Sequence, residues 1–373
     1  MRVVLSGGGT GGHIYPALAI ARHIQDMEPD SELLYIGSSR GLERELAEKS
    51  NIPFEAIEIT GFRRSLSLDN VKTVIRFLRG VRRSKKLLKA FRPDIVVGTG
   101  GYVCGPVVYA AVRLGIPAVL HEQNVIPGLT NAFLSRYADL LAVSFPDSER
   151  NFPKARRVLY TGNPRASQVI AADAKRGRES LGLDLREGDR LVVVVGGSRG
   201  ALRINECMVE LAQLIASEKP QGLKFLFITG ESYYESTVSR LEDTIRLSTD
   251  RLKVVPYVHN MPEVLAATSV IVSRSGASSL AEITALGLPS ILIPSPNVTN
   301  NHQEANARWL EREGAAKVIL ERDLNGRVLY EAIMRIACDP IRYEHMSLQA
   351  RRLGKRDAAA LIYEEMRRLL AQR

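Results

Sequence analysis

Short runs of apolar residues alternate along the chain with stretches in which apolar positions recur every three or four residues, a rhythm that predicts strands and helices in turn. In the first half the runs at 1–5, 33–36, 94–97, 118–120 and 140–143 are continuous enough for buried strands, with helical patterns between them. The first strand runs straight into SGGGTGGHIYP, after which a helix is expected over 16–24. At Leu191 the pattern restarts: LVVVV, a glycine-rich turn and an amphipathic helix repeat the N-terminal arrangement. Further strands are expected at 224–228, 253–255, 270–272 and 290–293. Alternating strands and helices make parallel sheets with helices on both faces, and 373 residues exceed one ordinary core. The chain therefore reads as an α/β protein of two Rossmann-like, doubly wound domains facing each other across a cleft. The joint falls near GNP, so the N-terminal domain is 1–163 and the C-terminal domain 164–354. A last amphipathic helix, within 355–373, packs back on one of them.

Composition, 45% hydrophobic and 25% charged, is that of a folded globular protein. The one long apolar stretch, 96–120, is broken by glycines, Pro106 and Arg113, so no membrane span is expected. The N-terminus carries no signal-peptide pattern, which predicts a cytosolic protein. Cys104, Cys207 and Cys338 are too scattered for a disulfide framework or a metal-ligand spacing.

Charge changes the picture once it is located. Residues 62–92 carry eleven Lys or Arg and a single acid, Asp69, an excess equal to the whole chain's net charge of +10. With Asn70 as cap, steps of about 100° per residue put Val71, Val74, Ile75, Phe77, Leu78, Val81 and Leu88 on one arc. Lys72, Arg76, Arg79, Arg83 and Lys86 fall mostly on the other. Such a segment either lies on an anionic membrane or packs its apolar arc on its own sheet, and the pattern leaves both open. Few aromatics accompany the cations, which argues against a nucleic-acid partner.

Three glycine-rich turns follow predicted strands: SGGGTGGH, GTGGYVCGP at 98–106 and GGSRGA at 196–201. Glycines let a ligand approach the main chain, and the helix starts behind them offer N–H groups to phosphate. Gly7, Gly9 and Gly12 also satisfy a dinucleotide fingerprint, and Ser38, Ser39 and Arg40 would suit a 2′-phosphate, which makes an NADP-dependent oxidoreductase the competing reading. That reading leaves unexplained the other two turns and the small-residue helix start after the strand at 270–272, Gly276 to Ser279, with Glu282 behind it to take ribose hydroxyls. His13, directly after the glycines, is placed to reach whatever the loop binds.

In order, GGGTGGHIYPALAIA, GTGGYVCGP, HEQNVIPGLTN, TGNPR, GGSRGA, SRSGASSLAEITALGLPSILIPSP and NHQEANA resemble the bacterial family 28 glycosyltransferases that convert lipid I to lipid II in peptidoglycan synthesis. The resemblance spans 1 to about 319. It implies a GT-B fold, an inverting mechanism, peripheral attachment to the cytoplasmic leaflet, and partners among cell-wall synthesis and division proteins. It also implies that the N-terminal domain takes the lipid I acceptor and the C-terminal domain UDP-GlcNAc. On that basis Gly9, Thr10, Gly11 and Gly12, with Gly100, Gly101 and Tyr102, would meet the acceptor diphosphate. Asn124 would meet the donor sugar, and Arg165, Ser198 and Gln303 other parts of the donor. Ala277, Ser278, Ser279 and Leu280 would lie along the donor, Glu282 would hold the ribose, and the Val258 backbone the uracil. An inverting displacement needs a base at the acceptor hydroxyl. His13 is the candidate, and Glu122 is the rival. No DxD-like acidic pair stands near either loop, so no metal and no cofactor are expected. A third reading is a nucleotide-sugar binding protein that has kept the fold and lost turnover.

Overall fold

The computed structural model describes residues 1–39, 41–60, 69–247 and 250–372. They form two compact units, 1–167 together with 355–373, and 168–354. The first unit is built on a parallel sheet of β1 (Arg2–Gly7), β2 (Glu32–Ser38), β3 (Phe54–Ile57), β4 (Ile95–Gly100), β5 (Ala118–Glu122), β6 (Leu140–Val143) and β7 (Val158–Tyr160). Their order across the sheet is 3-2-1-4-5-6-7. Its helices are α1 (Gly11–Met27), α2 (Glu43–Lys49), α3 (Asp69–Phe91), α4 (Cys104–Arg113) and α5 (Leu129–Leu134).

Short α6 (Ala166–Val169) and α7 (Ala174–Leu181) lead into the second sheet, β8 (Arg190–Val195), β9 (Leu223–Ile228), β10 (Leu252–Val255), β11 (Val270–Ser273), β12 (Ser290–Leu292) and β13 (Ala316–Val318). These strands stand in the order 10-9-8-11-12-13, again parallel throughout. Around them lie α8 (Leu202–Glu218), α9 (Glu231–Leu247), α10 (Met261–Ala267), α11 (Ala277–Leu286), α12 (His302–Arg312), α13 (Gly326–Ala337) and α14 (Pro340–Leu353).

Strand side chains alternate between faces, and the two cores of the first unit follow that alternation. Val3 and Leu5 join Ile14, Ala17, Ile20 and Ile24 of α1 on one face, while Val4 joins Val81 and Leu88 of α3 and Val107 of α4 on the other. The final helix, α15 (Ala358–Ala371), adds Ile362 and Met366 to the α1 face, both fully buried. Its polar grip is on Glu28, which accepts from Tyr363 Oη (2.8 Å), from Arg367 (2.7 Å) and from the Met1 amino group (3.1 Å). In the second unit Val192 and Val194 pack on α8 and α13, and Val193 on α10.

Helix α1 begins earlier than its apolar pattern predicts, at Gly11, with Pro16 inside it. Gly11 and Gly12 therefore belong to its first turn, and His13 is its third residue.

Candidate active site

Strand order reverses between β1 and β4 in one sheet and between β8 and β11 in the other, and open α/β sheets bind ligands outside the carboxyl ends of strands at such points. The three glycine-rich turns follow β1, β4 and β8, and the small-residue helix start follows β11. All four loops predicted to carry chemistry thus sit at the two switch points.

In the first unit the turns after β1 and β4 press together. A Cβ on Gly7 would lie 2.0 Å from Thr99 Oγ1. Gly101, at φ +79°, would bring one to 2.0 Å from the Gly8 carbonyl oxygen. Two N–H groups of the first turn are used internally: Gly8 N donates to Gly100 O (3.2 Å) and Gly9 N to the fully buried carboxylate of Glu43 (3.1 Å). The Gly9 N–H is thus held by a carboxylate, and what Gly9 offers a ligand is its lack of a side chain. Tyr102, half-buried, covers Gly9. Thr10 is an exposed N-cap whose side chain caps nothing, and Gly11 and Gly12 hold the first two helical positions, whose N–H groups have no intrahelical acceptor.

His13 is half-buried, and its Nδ1 faces two oxygens, Thr99 O at 3.1 Å and Gln123 Oε1 at 2.9 Å. Thr99 Oγ1 also donates to the His13 carbonyl (2.6 Å), tying the first turn of α1 to the end of β4. Two oxygen acceptors at Nδ1 place the proton there and leave the lone pair on Nε2.

Glu122 is buried and occupied. Its Oε1 accepts from the Asn124 N–H (3.0 Å) and Asn124 Nδ2 (3.4 Å), and its Oε2 from Gly128 N (3.2 Å) and Asn131 Nδ2 (2.9 Å). At 1% exposure this carboxylate holds the loop between β5 and α5 together. Asn124 is half-exposed on that loop.

Arg165, expected with the donor domain, folds with the first unit. Its guanidinium lies 4.9 Å from the Tyr15 ring on α1.

In the second unit Ser198 is exposed on the turn after β8. Ala277, Ser278 and Ser279 form the first turn of α11, where the Ser278 hydroxyl is buried without a hydrogen-bond partner. Leu280 and Glu282 are buried on the same helix, and Val258 is half-buried after β10. Gln303 joins this group through the loops, since its Oε1 accepts from Ser295 N (2.9 Å) and its carbonyl from Ser275 Oγ (2.7 Å).

The basic segment divides along its length. On α3, Val81 and Leu88 are buried and Phe77 is half-buried against Tyr109, whereas Val74, Ile75 and Leu78 are exposed at 50%, 46% and 61%. Arg76 reaches Thr60 (3.1 Å), Arg83 pairs with Glu55 (3.1 Å), and Arg79 is exposed beside them. The side chains of Val71 and Lys72 lie outside the described residues. No helix among the described residues is long and apolar enough to cross a membrane.

The residues that suggested NADP differ in their surroundings, and Ser39 is exposed. Ser38 is buried and donates to Glu43 (3.0 Å), and Arg40 lies outside the described residues. Of the cysteines, Cys104 and Cys207 are buried and Cys338 is exposed, all free thiols. Burial pushes the thiols of Cys104 and Cys207 up to about 12.

Residues 3–143 match the model of the glycosyltransferase family 28 N-terminal domain and residues 191–362 that of its C-terminal domain. A Bacillus cereus protein named UDP-N-acetylglucosamine–N-acetylmuramyl-(pentapeptide) pyrophosphoryl-undecaprenol N-acetylglucosamine transferase 1 is 50% identical over 370 residues, 99% of this chain and 100% of that one. A Bacillus licheniformis transferase of the same description is 51% identical over 369 residues, 99% of each. The crystal structure of Acinetobacter baumannii MurG matches at a TM-score of 0.79 and 27% identity, covering 98% of this chain and 99% of that one. A Neisseria meningitidis UDP-GlcNAc 2-epimerase bound to UDP-GlcNAc matches at 0.68 and 15%, covering 98% and 99%, a likeness of fold alone.

Proposed function

The chain belongs to glycosyltransferase family 28, and from that membership we infer that it moves N-acetylglucosamine from UDP-GlcNAc to the C4 hydroxyl of MurNAc in undecaprenyl-pyrophosphoryl-MurNAc-pentapeptide, turning lipid I into lipid II for peptidoglycan synthesis. The substrate pair rests on the full-length relatives, and no oxidoreductase reading survives beside them. The chemistry rests on one observation: His13 stands on the first turn of α1 with Nδ1 bonded to two acceptors and Nε2 left as the basic nitrogen.

In a single inverting displacement the acceptor oxygen forms a bond to C1 as the bond from C1 to the UDP oxygen breaks. His13 Nε2 takes the hydroxyl proton. The first unit binds the acceptor, whose diphosphate is met by the N–H groups of Thr10, Gly11 and Gly12 and by the turn at Gly100 and Gly101. The second unit binds the donor: the helix starts of α8 and α11, with Ser198, Ser278 and Ser279, stabilise negative charge on departing UDP, and Glu282 accepts from the ribose. Exposed Val74, Ile75 and Leu78, flanked by the cations of α3, support peripheral attachment to an anionic cytoplasmic leaflet where the lipid acceptor resides.

UDP release from UDP-GlcNAc, with and without a short-chain lipid I analogue, tests this reading. Release should depend on the analogue, and His13→Ala should lower kcat by about 10²–10⁴. Glu122→Gln should instead lower the unfolding midpoint, since an amide cannot accept all four bonds that the carboxylate does. Wild-type turnover in His13→Ala would remove His13 as base, and release indifferent to the analogue would remove the acceptor assignment.

A further inference from the structure

His121 is a fully buried titratable side chain that the mechanism above does not use, yet it stands two residues from a side chain that bonds to the base. Gln123, 2% exposed, presents Oε1 to His13 Nδ1 at 2.9 Å. An amide can bind either way round. Reversed, it would aim its NH₂ at His13 Nδ1, draw the lone pair there, and put the proton on Nε2, where a base must be bare.

Its surroundings decide the orientation. Gln123 Nε2 lies 2.7 Å from Thr99 O and 3.1 Å from His121 O, both of which only accept. It also lies 3.0 Å from His121 Nδ1. That nitrogen accepts as well, because His121 Nε2 faces the Gly162 carbonyl at 3.0 Å and so carries the ring's proton. Burial holds His121 down to about 4, with the Gly162 carbonyl opposing and His13 adding to the shift, so the ring is neutral and Nδ1 bare in ordinary buffers.

We propose that Gln123 is a positioning residue that fixes His13 as the Nδ1–H tautomer, and that His121, anchored on the Gly162 carbonyl, fixes the amide of Gln123. The chain of bonds runs from Gly162 O through His121 and Gln123 to His13 and ends at the bare Nε2. A carboxylate in the place of Gln123 could accept from Nδ1–H but would set its second oxygen against Thr99 O, His121 O and the bare His121 Nδ1, with no proton to give them. The amide does both, accepting from His13 Nδ1–H and donating to the acceptors behind it.

This rests on the reading of His13 as the base, and side-chain NMR of the full chain separates the two. With His13 assigned by the signals lost in His13→Gln, two-bond ¹H–¹⁵N correlations in the wild type should show Nδ1 protonated and Nε2 bare. Gln123→Leu should raise the share of the opposite tautomer about threefold or more. It should lower kcat about tenfold or more, with KM for UDP-GlcNAc within about twofold of wild type. A wild-type His13 protonated on Nε2, or a Gln123→Leu spectrum like that of the wild type, overturns the proposal, and the wild-type spectrum decides the first point even if a variant does not fold. If the tautomer follows Gln123 as expected while His13→Ala turns over at the wild-type rate, the positioning stands and the base is another group.

Discussion

His121 has a thermodynamic signature separate from catalysis. Burial lowers it from 6.5 to about 4, so between those pH values the unfolded chain binds the proton and the folded chain does not. The stability it contributes is intact above pH 6.5 and is lost as pH falls toward 4, by about 3 kcal/mol in all. Denaturant unfolding of the wild type across this window should therefore fall more steeply with acid than that of His121→Asn, and equal slopes would contradict the assignment. Much of the candidate site was legible: the turns, His13 and the acid on α11 are residue types that stand out in the sequence, and the structure places them at or behind strand ends. Gln123, Thr99 and Glu43 do not stand out, because their roles depend on which strand ends lie side by side. Thr99 ends β4 and Gln123 follows β5, and only the sheet brings them to a histidine more than eighty residues away. Nor does the sequence show that the Gly9 N–H is held by Glu43, thirty-four residues on.

Helix α3 is one element with two faces that its apolar pattern merges into a single arc. Val81 and Leu88 pack against the core, whereas Val74, Ile75 and Leu78 do not. Leu78→Asp should leave the unfolding free energy within about 0.5 kcal/mol of wild type while reducing co-sedimentation with anionic vesicles. Val81→Asp, which buries a charge, should cost about 2 kcal/mol or more. Vesicle binding unaffected by Leu78→Asp would remove the attachment role from this face. Central strands were readable because burial on both sides makes them continuous apolar runs. FEAI, VLY and AKV of β3, β7 and β13 were not: each is an edge strand of three or four residues, too short for its pattern to stand out. Helix α1 started five residues early for a related reason. Glycines are poor helix formers, but Ile14, Ala17 and Ile20 bury a face that holds the first turns in place.

At the scale of the molecule, the two sheets share one strand order over their first six strands, and the repetition is visible in the chain as a restart at Leu191. Less visible is that the first unit is discontinuous. Helix α15 closes the α1 face with Ile362 and Met366, and Glu28 collects its polar contacts. Deleting 358–373 should lower the stability of the first unit by several kcal/mol, at about 2–5 kcal/mol for each large buried side chain removed. Amide hydrogen exchange should then quicken in β1 and α1 but not in β8 and α8, and equal protection in all four would show that α15 is dispensable. A chain that closes its first unit with its final helix also carries a timetable. On the ribosome, the first 167 residues emerge without the helix that completes their core. At roughly 5–20 residues per second, the remaining stretch of about two hundred residues takes about 10–40 s to make. Throughout that interval an apolar groove along α1 is open to the chaperones that meet a nascent chain, so the half of the protein synthesised first is the half finished last.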